Sequence, residues 1–521
     1  MFSDVITKIR TEAKMTQTQF AKLFSVSQQA VQKWESGLVK PDIDKLLAIS
    51  KYFNISVDEL LLGEGNSYLM SANILPQYNN LHTWEVYAYD LLTEYNQCIE
   101  EGLDIEEYKD IFSSIAKLPK GDAKKKFGDV IFDLVSNAKT REDFKYIEPS
   151  SLEQIRSLRV ERISLPKCEE KTIKSKITGA WMGRICGCML GKPIEGIRSK
   201  WLIPLLKATG NYPMHRYILR SDLTDEVLEN CKFPLRNKLY ADEIDGMPVD
   251  DDTNYVVLAQ MVIEEFGKDF TPMNMAKAWM KYQGKDAYCT AERVAYCNFI
   301  KGYLPPQSAS YQNPYREWVG AQIRGDYFGY INIGNPEKAA EMAFRDASIS
   351  HVKNGIYGEM FISAMIATAG VCSDMEKIIL GGLSEIPKTS RLFDSIMRVI
   401  DCFKGGKDRK ECLKMIASEY DEYTEHGWCH TISNAMIVAM SLLYGEGDFS
   451  KSICIAVESA FDTDCNGATV GSILGMVKGI EGIPNSWKDP INNTLYTSIF
   501  NVGKVKISDC VEKTLKHIQT V

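Results

Sequence analysis

The chain has 521 residues, 45% hydrophobic and 25% charged, the composition of a globular protein with room for more than one core. Its formal net charge of -8 excludes a globally basic nucleic-acid binder, though not a small DNA-binding module with its own local charge. Fourteen cysteines without a Cys-x-x-Cys pair are expected to be reduced, and with no signal pattern at Met1-Phe2-Ser3-Asp4-Val5 and no bilayer-length apolar run, a cytoplasmic protein with no membrane partner is expected.

From Ile6 to about Gly63 the rhythm is helical. Thr16 to Phe24 reads as one capped helix and Ser25-Val26 as a tight break. Ser27 then caps a second helix, Gln28 to Ser36, which Gly37 ends. Two short helices and a small turn make a helix-turn-helix, whose second helix enters the DNA major groove. The residues expected to face bases are Gln28, Gln29, Gln32 and Lys33, since glutamine bonds adenine bidentately and lysine suits guanine or phosphate. Lys8, Arg10, Lys14, Lys22, Lys33 and Lys40 stand against Asp4, Glu12 and Glu35, a local balance of 6 − 3 = +3. Val31 and Trp34 are expected in the core. The stretch resembles the Cro/cI-type helix-turn-helix domains at Met15-Thr16-Gln17-Thr18-Gln19-Phe20-Ala21, Val26-Ser27, Trp34-Glu35-Ser36-Gly37, Pro41 and Leu60-Leu61. That resemblance implies double-stranded DNA as a partner and a homodimer on palindromic sites. A helical protein-interaction domain of the same shape is the alternative.

Gly63-Glu64-Gly65-Asn66-Ser67 reads as a hinge. From Trp84 to about Arg141 the pattern is helical and strongly charged, broken at Pro119-Lys120-Gly121. The run Lys124-Lys125-Lys126 is expected on a solvated helix face. Residues 67–166 read as a helical linker domain with no visible chemistry, between a DNA-binding domain at 1–66 and a catalytic body at 167–521.

The body reads as helix after helix, so the expected class is all-α. Gly179, Gly183, Gly187 and Gly191 repeat at helical spacing, as do Gly467, Gly471 and Gly475. Each glycine costs a helix about 1 kcal/mol relative to alanine, and such stripes let another backbone approach closely. Asp250-Asp251-Asp252-Thr253 precedes the apolar-periodic run Tyr255 to Val262 as a helix cap, and Asp462-Thr463-Asp464-Cys465-Asn466-Gly467 leads into another helical run. One such cluster is ordinary capping. Two oxygen-rich clusters at helix starts can share a hard cation, since magnesium takes an octahedron of oxygens. The pair suggests a metal-assisted hydrolase, with the second glycine stripe helping to bring the clusters together.

Residues from about 175 to 490 resemble the ADP-ribosylglycohydrolase family, the group that includes the dinitrogenase reductase-activating glycohydrolase. Four blocks carry the likeness: Gly183-x-x-x-Gly187-x-x-x-Gly191-Lys192-Pro193-Ile194-Glu195; Asp250-Asp251-Asp252-Thr253; Asp346 to His351 with Gly358-Glu359; and Asp462 to Gly467 with Gly475 and Ile483-Pro484-x-x-Trp487. The resemblance implies two Mg2+ ions held by Asp250, Asp251, Asp252, Asp462 and Asp464, with Cys465 at a position where a threonine hydroxyl often binds. It implies hydrolysis of a glycosidic bond at the ribose of an ADP-ribosylated substrate. Glu195, and after it Asp251, is the candidate to take the proton from water. His351, Glu359 and Arg324 are candidate substrate contacts, with Gly320-Ala321-Gln322-Ile323-Arg324 a candidate lining. Three residues depart from the family pattern. Asp250 replaces a Ser/Thr and adds charge, Cys465 is a poor partner for magnesium, and Cys188 replaces an aspartate. His426 and His430 have metal spacing, but no third ligand stands near them in sequence. Two functional classes follow: an active glycohydrolase carried by a DNA-binding module, or a ligand-responsive regulator whose ADP-ribose-binding body turns over little.

Overall fold

The computed structural model describes residues 2–62, 76–231 and 233–519, and the expected hinge at Gly63 to Ser67 lies outside them. The chain forms two compact units, Met1–Asn80 and Leu81–Val521. Among the described residues the secondary structure is helical apart from one antiparallel pair of three-residue strands, Thr494–Tyr496 and Lys504–Lys506, so the protein is all-α.

In the first unit the caps fall where the side chains dictate. Thr16 accepts from the Gln19 N–H, and the Gln19 side chain returns the bond, closing a capping box before helix Gln17–Leu23. Ser25 adopts a left-handed φ of 54°, and Ser27 accepts from the Ala30 N–H to start helix Gln28–Glu35. Val31 and Trp34 are buried with Phe20, Phe24, Ile49 and Leu60. Glu35 closes the module by accepting from Arg10 Nε at 2.5 Å and Gln17 Nε2 at 2.7 Å.

The second unit is built around two striped helices, Glu170–Gly191 and Thr463–Lys478. Their glycines face each other in antiparallel order, Gly179 to Gly475, Gly183 to Gly471 and Gly187 to Gly467. A Cβ on Gly187 would stand 1.9 Å from the Gly467 carbonyl oxygen, so the two backbones touch with no room for a side chain. The glycines lower helix propensity, and the burial that follows offsets this: nearly every residue from Ile177 to Gly191 is buried. The C-terminal end of the first helix, leading into Pro193-Ile194-Glu195, meets the acidic start of the second, with Gly191 against Thr463 and Asp464.

Residues 81–166 pack within this same unit. Helix Leu91–Glu100 buries Leu91, Glu94, Gln97 and Cys98. Acids of this helix and its cap meet bases from the body: Arg316 pairs with Glu94 at 2.8 Å and with the cap residue Glu101 at 2.6 Å, and Lys353 with Glu101 at 2.6 Å. Arg391 pairs with Glu148 at 2.9 Å and with Glu317 at 2.6 Å. Buried charges are tolerated only when paired in this way. In the lysine run, Lys125 and Lys126 lie on a solvated face beside Asp129 and Asp122. Lys124 departs from that expectation: it is buried and donates to the carbonyls of Ala116 and Leu118 at 2.7 and 3.1 Å, closing the end of the preceding helix.

Candidate active site

A cavity of about 370 Å³ is lined by Glu195, Asp251, Asp462, Asp464 and Cys465, residues drawn from three separated blocks of the sequence. A larger cleft of about 560 Å³, between Trp201 and Asn230, holds none of these carboxylates. Glu195 follows the first striped helix through the turn Lys192–Ile194. Asp251 opens helix Asp251–Phe266, and Asp462 and Asp464 open the second striped helix. Glu195, Asp462 and Asp464 offer oxygens within 4.8 Å of one another, as do the ligand atoms of Asp252, Asp464 and Cys465.

This crowding raises the energy of every ionised form. Asp464, with Asp251 and Asp250, pushes the Glu195 carboxyl well above the usual range. Burial, then Asp250 and Asp464, raises Asp251 to about 7. Asp462 is pushed well up by burial and by Asp464. Buried oxygens of Asp252 and Asp462 have no hydrogen-bond donor among the described residues. A hard cation fits this donor set, because it would satisfy both orphaned oxygens and relieve the repulsion.

The carboxylates are not equivalent. Asp250 Oδ1 caps its own helix through the Asp252 N–H at 2.9 Å, and Oδ2 accepts from Lys192 Nζ at 2.6 Å. The additional charge at this position is therefore balanced by Lys192. Asp252 gives one oxygen to Arg184 at 2.9 Å, and Arg184 also pairs with Asp326 at 2.9 Å. Burial and the surrounding acids push the Cys465 and Cys188 thiols well up, and sulfur is a poor partner for a hard cation such as magnesium.

Residues 169–516 match the family model described as ADP-ribosylglycohydrolase, and residues 6–60 match one described as Helix-turn-helix. The chain belongs to the ADP-ribosylglycohydrolase family. Its N-terminal module is similar to the HTH-type transcriptional activator BcrR of Enterococcus faecalis, at 43% identity over 63 residues, 12% of this chain and 31% of that protein. It is also similar to the HTH-type transcriptional regulator YqaE of Bacillus subtilis, at 36% identity over 66 residues, 13% of this chain and 57% of that protein. The chain thus spans about a third and just over half of these two relatives. A solved ADP-ribosylglycohydrolase-related protein complex aligns with 67% of this chain and 99% of its own, at 15% identity and a TM-score of 0.40.

The expected substrate contacts, His351 and Glu359 of the middle block and Arg324 of the Gly320–Arg324 stretch, do not line this cavity. Arg324, Glu359 and His351 are fully buried. Arg324 spends its guanidinium on Asp346 at 2.9 Å, Glu292 at 3.0 Å and Glu359 at 3.5 Å. Their neighbours reach the cavity instead: Gly320 and Ile323 line it, and so does Glu292. Gly320 lies close against that carboxylate: a Cβ would fall 1.9 Å from Glu292 Oε1, which Arg324 already holds at 3.0 Å. Nothing local in the sequence marked Glu292, which lies in the first turn of helix Thr290–Ile300, where an acidic residue is ordinary.

His426 and His430 acquire a third neighbour from far away in sequence. Glu100 Oε1 lies 3.1 Å from His426 Nε2, and Oε2 lies 3.4 Å from His430 Nε2. Donor accounting decides against a metal here. Trp318 Nε1–H donates to His426 Nδ1, and the Ile432 N–H donates to His430 Nδ1, each at 3.1 Å. Both neutral rings therefore carry their proton on Nε2, facing the carboxylate, and have no lone pair left for an ion. The arrangement is a clamp on Glu100, and through Trp318, which lines the cavity, it buttresses the site. In the helix-turn-helix, Gln28, Gln29, Gln32 and Lys33 are all exposed on the second helix.

Proposed function

We propose that this chain hydrolyses the glycosidic bond at the ribose carbon of an ADP-ribosyl group. The observation that carries the reading is the convergence of Glu195, Asp251, Asp462 and Asp464 on one cavity, with buried oxygens of Asp252 and Asp462 left without donors. Asp250, Asp251, Asp252, Asp462 and Asp464 would hold the ions. Magnesium, when bound, supplies Lewis acidity and a water of lowered pKa. Glu195 stands at the mouth of the carboxylate cluster and takes the proton of the attacking water, with Asp251 second in line for that role. Cleavage passes through an oxocarbenium-like state, which the surrounding anionic oxygens favour. Arg324 orders the wall by holding Glu292. The exposed Gln28, Gln29, Gln32 and Lys33 read double-stranded DNA, and the module pairs as a homodimer. A DNA-binding module suits a cytoplasmic protein.

The test is release of free ADP-ribose from arginine-linked, serine-linked and nucleic-acid-linked substrates, with magnesium and with chelator. Magnesium-dependent release from one member is expected. Glu195→Gln should lower kcat by at least about 100-fold while magnesium still raises the melting midpoint; full turnover in that variant would remove Glu195 from its role. One observation favours a second reading, a regulator with little turnover. Asp250 is committed to Lys192 and its cap, and Cys465 offers sulfur, a poor partner for magnesium, which thins the ligand set. No release from any substrate, together with ADP-ribose-dependent DNA binding, would select it.

A further inference from the structure

The cavity has a wall that the family domain does not supply. His82, Thr83, Trp84 and Asp90 line it together with Glu195, Asp251, Asp462 and Asp464, yet they lie far outside the family match at residues 169–516. This wall is held in place. The turn Thr83–Glu85 packs on helix Thr290–Ile300. Glu85 bonds Lys285 at 2.7 Å and stands 3.7 Å from Arg293. The Arg293 guanidinium sits 5.0 Å from the centre of the Trp84 ring, and the His82 ring lies 4.4 Å from it at a tilt of 56°. Asp90 accepts from the Tyr315 hydroxyl at 2.9 Å, fixing the other end of the segment. Trp318 and Trp428 line the same cavity. An acidic floor suits a sugar and its metals, whereas indole walls suit a flat, π-rich ring.

We propose that His82 and Trp84 form a stacking platform for a heteroaromatic ring of the substrate, a purine or pyrimidine, so that a segment preceding the family domain sets part of this enzyme's specificity. The proposal rests on the ADP-ribosyl reading above. The ring is either the adenine of the ADP-ribosyl group or a nucleobase that serves as the leaving group. Both offer the same π-face to the indole, and no covalent step involves the platform.

The experiment uses the full chain with Trp84→Ala, Trp84→Phe and His82→Ala. Binding of ADP-ribose and of ribose 5-phosphate is measured by calorimetry, and KM and kcat are measured on the nucleic-acid-linked substrate. Base stacking of this kind predicts a loss of roughly 5- to 100-fold in Trp84→Ala, with Trp84→Phe recovering most of it. If the ring is adenine, ADP-ribose binding weakens by that factor while ribose 5-phosphate binding does not change. If the ring is the leaving base, ADP-ribose binding is unchanged and KM rises by that factor with kcat retained. Wild-type affinity and KM in a Trp84→Ala protein of normal melting midpoint would overturn the proposal and leave the glycohydrolase reading standing. Failure of the wild-type chain to bind ADP-ribose at all would overturn both.

Discussion

Replacing Gly187 by alanine tests the idea that backbone contact assembles the site. The new methyl would lie 1.9 Å from the Gly467 carbonyl oxygen and 2.4 Å from its carbon. Ordinary contact begins at 3.4 Å, so the helices must part by about 1.5 Å at that level. Neither obstacle is a side chain that can rotate away. Overpacking of a filled core costs about 1–3 kcal/mol, and two rigid backbones belong at the upper end. Alanine's better helix propensity returns about 1 kcal/mol, leaving a net loss near 2 kcal/mol. The functional loss should be larger than that loss of stability suggests. Glu195 follows the end of one helix and Asp464 opens the other, and a misplacement of about 1 Å at a reacting centre can cost 100-fold in rate. The assay is ADP-ribose release alongside the melting midpoint, with Gly284→Ala as control, because a Cβ there lies 3.6 Å from its nearest neighbour, Phe500. Wild-type turnover and melting in Gly187→Ala would refute the reasoning.

Magnesium should raise the melting midpoint, by the equivalent of about 2.7 kcal/mol per ion at 100 times Kd, and Asp462→Asn should abolish most of that gain; equal shifts in both proteins would remove Asp462 from the ligand set. Acid should destabilise the clamp on Glu100. Burial depresses His430 to about 4 from 6.5, against the pull of Glu100; His426, His430 and Arg391 depress Glu100 to about 2 from 4.5, against the effect of its burial. Both shifts are downward, so the unfolded chain takes up protons first, and stability falls with pH from 6.5 to about 4 through His430 and from 4.5 to about 2 through Glu100. His430→Asn keeps an acceptor for the Ile432 N–H and should flatten the first limb of melting midpoint against pH; an unchanged slope would contradict the assignment. Gln32→Ala, at an exposed position, should leave melting unchanged and weaken binding to a selected operator by about 1–3 kcal/mol, read by fluorescence anisotropy at fixed salt; unchanged affinity would remove Gln32 from the reading face.

Much of the architecture is written in local pattern. Thr16 and Ser27 announce their helices because a hydroxyl before a periodic run has one obvious use, and Val31 and Trp34 fall on the buried face that the period assigns them. The two glycine stripes read as close packing, and the structure sets them directly against each other. The acidic clusters are visible for the same reason, as oxygens concentrated at helix starts. What escaped depends on distance along the chain. Glu100 reaches His426 and His430, and Gln97 reaches Glu317, 220 residues on. No periodicity encodes such a meeting. His82 and Trp84 stand in a stretch whose composition looks like any charged helical connector. Arg324 shows the converse limit: an arginine near a motif suggests a substrate contact, and the sequence gives no sign of the three buried acids that it pairs with.

The ion network under helix Leu91–Glu100 also sets where this protein can be divided. A fragment starting at residue 169, the edge of the family match, would take Glu94, Glu100, Glu101 and Glu148 away from Arg316, Lys353, Arg391 and the two imidazoles. Stranding one buried charge costs about 3–5 kcal/mol, so several together exceed the stability of an ordinary domain. The body of this chain is therefore expected to fold as a unit only from near residue 81, and recombination that swaps its helix-turn-helix module must cut before that point.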